Sequence, residues 1–84
     1  MNAPAPTSMP MPLTDRQMEV LRFVVGHIER EGYAPTHREI CKAFGWVSTN
    51  HVDEQLGHLE KKGWIVCTPN KARAIRVLHR PEAA

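Results

Sequence analysis

Eighty-four residues carrying a formal net charge of +2 suit a single domain with one modest core. No apolar run approaches the roughly 18 residues of a membrane helix, and the start of the chain lacks the basic segment and apolar stretch of a secretory leader, so a cytoplasmic protein away from membranes is expected. Cys41 and Cys67 lie far apart with no CxxC spacing and are expected to be reduced thiols rather than a disulfide.

Residues 1–12 hold Pro4, Pro6, Pro10 and Pro12, a density that breaks helices and predicts a flexible arm. Thr14 and Gln17 then make a T-x-x-Q capping box, with Leu13 and Met18 spaced as a hydrophobic staple. Met18, Leu21, Val24, Val25 and Ile28 follow at intervals of three and four, the stripe of an amphipathic first helix that Gly32 ends. Pro35 interrupts, and Thr36 with Glu39 forms a second capping box. The second helix is predicted to be short, to turn Ile40, Ala43 and Phe44 inward, and to stop at Gly45. Ser48 is an N-cap for a third helix with Val52, Leu56 and Leu59 on its inner face, closing at Lys61, Lys62 and Gly63. Two helices joined by a short glycine-containing turn read as a helix-turn-helix.

Beyond Gly63 the period changes. Residues 64–68 are rich enough in β-branched and aromatic side chains for a strand, residues 69–72 supply a turn, and residues 74–78 return with Arg76 facing opposite to Ile75 and Val77. The expected fold is therefore α+β, a winged helix-turn-helix of three helices and a β-hairpin wing over residues 13–78, with a short tail at 79–84.

Chemistry that would mark an enzyme is hard to find. The five glycines lie singly, which excludes a glycine-rich phosphate loop. Asp53 and Glu54 are sequence neighbours, which a helix points about 100° apart. His51 and His58 sit two turns apart, and His37 with Cys41 makes only a pair, short of a structural zinc set. No catalytic residue, metal or cofactor is expected.

Binding is better supported. With Val52, Leu56 and Leu59 inward, the third helix turns Thr49, Asn50, His51, Asp53, Glu54 and His58 outward. Asparagine pairs with adenine and a carboxylate accepts from cytosine in the major groove, so this face suits base reading in double-stranded DNA. Ser48 and Thr49, at the helix start, suit a phosphate. Residues 61–80 hold Lys61, Lys62, Lys71, Arg73, Arg76 and Arg80 and no acid, a local +6 that places phosphate anchoring in the wing. Two plainer readings compete: a solvated hairpin, and acids that merely suit the helix dipole. Trp46 and Trp64 are assigned to packing rather than to DNA.

The segments LTDRQMEVLRFV, GYAPTHREI, FGWVSTNHVDEQLGHLEKKGWI and KARAIRVL together resemble the N-terminal DNA-binding domain of the LexA repressor family, from Leu13 to Leu78. That resemblance implies a repressor reading one half of a palindromic operator. It implies base readers at Ser48, Asn50, His51, Asp53 and Glu54, and a wing at Asn70, Lys71, Ala72 and Arg73. Two departures stand among those readers: His51, where relatives usually have a small residue, and Asp53, one methylene shorter than the Glu of one branch. LexA proper continues into a self-cleaving domain that also dimerises, and the present sequence ends at Ala84. A stand-alone regulator and an excised domain both fit, with the Met1 start and proline-rich arm favouring the former. A weak or DNA-dependent homodimer is expected. The alternative of another class is a module that docks on polymerase or a resident repressor through an apolar patch.

Overall fold

Both predicted capping boxes are formed. In the computed structural model, which describes residues 11–68 and 74–81, the Thr14 side chain accepts from the Gln17 amide at 3.2 Å and Gln17 Oε1 accepts from the Thr14 amide at 3.0 Å. They open α1, Asp15–Glu31, which ends on Gly32 at φ 85°, a left-handed turn open to glycine without strain. Thr36 and Glu39 exchange the same two bonds, at 3.0 and 2.9 Å, to open α2, His37–Phe44. The third helix, α3, spans Thr49–Lys61 from its N-cap Ser48. Two short antiparallel strands follow, β1 (Ile65–Cys67) and β2 (Ile75–Val77), in the register Ile65 to Val77, Val66 to Arg76 and Cys67 to Ile75. Three helices and a two-stranded sheet in this order are the α+β winged helix-turn-helix.

The core forms where α3 packs against α1, α2 and β1. Val20, Leu21 and Val24 of α1, Ile40 of α2, Val52 and Leu59 of α3 and Ile65 of β1 are essentially sealed from solvent. The stripe predicted on α1 is broader than expected, because Val20 is buried while Met18 and Ile28 are only half-buried. One expectation fails outright: Ala43 is exposed, and its neighbour Cys41 takes the inward place on α2. Cys41 Sγ lies 2.9 Å from the Trp46 carbonyl, so the thiol also ties α2 to the following turn. Phe44 is half-buried, its ring edge-on to Phe23 and stacked on Trp46. The two cysteines are free.

Trp64 is buried just ahead of β1 and joins distant parts of the chain. Its indole N–H donates to the Met11 carbonyl at 2.7 Å, and its own carbonyl accepts from the Leu78 amide at 2.8 Å. Lys62 Nζ reaches the buried Gln17 at 2.8 Å, so the start of α1 is tied to the end of α3. These bonds hold α3 at a fixed attitude with one face left outside the core. None of the helices, among the described residues, is long and apolar enough to cross a membrane.

Candidate nucleic-acid interface

The two faces of α3 differ sharply. Val52, Leu56 and Leu59 are 0–2% exposed, whereas Thr49, Asn50, His51, Asp53, Glu54 and His58 are all exposed. The helix start is also open: the exposed Ser48 hydroxyl accepts from the Asn50 amide at 3.1 Å. Six of the residues singled out from the sequence, from Ser48 to Glu54, thus lie on the exposed start and outer face of one helix. The rest, Asn70, Lys71 and Arg73, fall outside the described residues, as does the wing turn itself.

Two of these side chains have partners that the sequence pattern did not suggest. His37, the first residue of α2, places Nδ1 2.7 Å from Asp53 Oδ1, with both side chains about half exposed. His51 lies against Trp46, with ring centroids 5.5 Å apart, and Trp46 in turn stacks on Phe44 at 4.8 Å. An aromatic column therefore runs from the partly buried Phe23 through Phe44 and Trp46 to the exposed imidazole of His51. Trp46 and Trp64 both pack within the protein, as expected. Val47, immediately before Ser48 in the connection of Gly45, Trp46 and Val47, is fully exposed, an apolar side chain that the sequence pattern did not single out for binding.

The electrostatics refine two expectations. No acid lies in the first turn of α3; Asp53 and Glu54 are its fifth and sixth residues, beyond the reach of the dipole at the helix start. Of the six cations in residues 61–80, Lys62 is occupied by Gln17 and Arg80 pairs with Glu29. Lys61 and Arg76 are exposed, and Arg76 stands on the outer face of β2 opposite Val66. Of these described cations Arg80 is offset by a carboxylate, whereas the Gln17 amide offsets no charge at Lys62.

Burial pushes the Cys67 thiol above its ordinary range, and the negative charges of Glu60 and Asp53 push it further, which favours an inert thiol over a thiolate nucleophile. Among the described residues, no three His, Cys, Asp or Glu side chains converge as a metal site would require.

The model of the LexA DNA binding domain matches residues 10–74, which contain all three helices and β1. The chain belongs to this LexA family. Its relatives include LexA repressors from Anaeromyxobacter dehalogenans strain 2CP-1, 52% identical over 63 residues (75% of this chain and 28% of the repressor), and from Caldicellulosiruptor saccharolyticus, 47% identical over 66 residues (79% and 33%). The LexA repressor of Clostridioides difficile strain 630 is 46% identical over 72 residues, 86% of this chain and 34% of the repressor. The chain thus spans about a third or less of the length of these relatives, and the LexA-type stretch includes the whole outer face of α3.

Proposed function

We propose that this LexA-type domain binds duplex DNA in a sequence-specific manner and acts as a transcriptional repressor. One observation carries the reading: a helix anchored by a fully buried apolar face presents an uninterrupted polar face of short hydrogen-bonding side chains. Asn50, Asp53 and Glu54 supply the base-reading groups, His51 a further polar contact, and Ser48 and Thr49 the phosphate contacts at the helix start. Val47 beside them suits a thymine methyl. Lys71 and Arg73, with Asn70, are assigned to the backbone of the DNA, with sequence-independent affinity as their contribution. A module built to dock on polymerase or another repressor would need an apolar patch on that same face, where α3 is polar.

A single module of this size covers one half-site, so two copies are proposed to meet on a palindromic operator as a weak, DNA-dependent pair. The role proposed for this stretch is that of a DNA-binding repressor domain, with no catalytic residue or metal assigned to it. Selection from random duplexes, followed by titration of the selected site, tests the whole reading. The expected result is one enriched, two-fold symmetric site, bound more tightly per half-site than an isolated half. Exchanging both Lys71 and Arg73 for Ala should weaken all duplexes alike and flatten the salt dependence by roughly one unit per lost phosphate contact. No enrichment at all would overturn the function, and an unchanged salt slope would remove the wing from it.

A further inference from the structure

We infer that His37 is a positioning residue for sequence recognition: it holds one carboxylate oxygen of Asp53 so that the other is presented, at a fixed angle, to a base amino group. The inference rests on the reading of the α3 outer face as the DNA-binding surface and deepens it at one residue.

A carboxylate is an awkward choice on a surface that meets DNA. It is repelled by phosphates on both sides, and it is useful only where a base edge donates to it, as the cytosine amino group does. That usefulness depends on orientation, because an aspartate with free side-chain torsions loses rotational freedom when it engages a base. Here Asp53 Oδ1 is already engaged, 2.7 Å from His37 Nδ1. The carboxylate is restrained through this oxygen by a partner on a different helix, and that helix is itself pinned by its capping box and by the burial of Ile40 and Cys41. A carboxylate has two oxygens with about four lone-pair sites, so one bond to His37 leaves Oδ2 able to accept from a base. The 58% exposure of the Asp53 side chain keeps that oxygen open to a partner from outside.

The pairing also bears on charge. An imidazole N–H donating to the carboxylate draws part of its negative charge toward α2, which reduces repulsion from neighbouring phosphates. No other purpose for the pair is evident in the fold. Both partners are too exposed for the bond to be important to the core, and α2 and α3 already meet through Ile40 and Val52 in one buried cluster. His37 was set aside in the sequence as half of an incomplete metal pair with Cys41, yet Cys41 faces the core while the His37 ring turns to Asp53.

The test is a comparison on a panel of duplexes in which each base pair of the selected half-site is changed in turn, using the wild type, Asp53→Ala, His37→Ala, His37→Asn and the double Ala variant. Asp53→Ala is expected to lose roughly tenfold or more of its discrimination at one base pair, the usual worth of a good base contact. His37→Ala should lose most of that same discrimination at that same base pair, and the double variant should lose no more than Asp53→Ala alone. His37→Asn should restore it, because its amide nitrogen occupies the place of Nδ1 and still donates. Thermal melts of all variants should match the wild type, since both side chains are exposed. If Asp53→Ala loses discrimination and His37→Ala does not, the positioning role is overturned while the DNA-reading face stands. A uniform loss on every duplex in His37→Ala, unrescued by Asn, would make His37 a phosphate contact and equally overturn it. Wild-type discrimination in Asp53→Ala would overturn Asp53 as a reader and the positioning role with it. Absence of any preferred duplex for the wild type would defeat the function itself, an outcome distinct from the other three.

Discussion

The first two helices and the third are built on different principles. All three helices run out on a left-handed glycine, Gly32, Gly45 and Gly63, but α1 and α2 also begin with a complete reciprocal capping box. α3 begins instead with one serine bond to the amide two residues on and carries His51 where a box would place Glu or Gln. Its start has the least local support of the three, while its three buried apolar residues are sealed against two helices and a strand. The difference teaches that N-terminal capping is relaxed on the element whose outer face is proposed to serve a partner, and that packing of the inner face makes up the deficit.

The largest test of that contrast is Leu56→Ala. Leu56 is 2% exposed at the junction of α3 with its neighbours, and its truncation should cost about 2–5 kcal/mol, a large part of the stability of a domain this small. Chemical denaturation measures it directly. An unchanged midpoint would mean that α3 does not depend on packing as claimed.

Next in size are changes on the opposite face. Asn50→Ala and Glu54→Ala should leave the denaturation midpoint nearly unmoved and weaken binding to the selected site by roughly 1–3 kcal/mol, with preference relaxed at particular base pairs. Equal binding of both variants and the wild type, measured by fluorescence anisotropy, would break the division of labour between the faces.

How far this division was legible in the sequence follows from the range of the signals. Capping boxes, terminating glycines and the Val52, Leu56, Leu59 spacing are local, and each predicted its element closely. The strands were predicted at five residues and are three, although single backbone bonds from Leu78 to Trp64 and from Thr68 to Ala74 continue the same register at either end. Ala43 was misplaced because on a helix of eight residues one stripe cannot decide between neighbouring positions, and Cys41 won by bonding across the turn. The outer face was readable from what the inner face left over. Its supports were not, since His37 and Asp53 are sixteen residues apart and Gln17 and Lys62 forty-five, distances at which no periodicity operates.

A gain in stability is expected from Gly57→Ala. A methyl group added there would meet no atom within 4 Å, and alanine in a helix body is favoured over glycine by roughly 0.5–1 kcal/mol. Thermal melting should rise accordingly. A fall would show that the backbone at Gly57 is constrained by something other than its own helix.

Little change in stability is expected from Ser48→Asp, which separates the two demands made on one residue. Ser48 caps α3 and stands exposed at the end proposed to meet phosphate. Aspartate caps a helix about as well as serine and adds a negative charge favoured by the dipole, so Ser48→Asp should melt within about 0.5 kcal/mol of the wild type. The same charge opposes phosphate, so the variant should bind every duplex more weakly, with a loss that shrinks as salt is raised. Ser48→Ala completes the pair, because it removes the cap without adding charge: it should lower stability by about 1 kcal/mol and give the smaller loss of DNA affinity. If Ser48→Asp bound as tightly as the wild type at low salt, the start of α3 would not lie near phosphate, and the proposed docking of the helix would have to be turned about its axis.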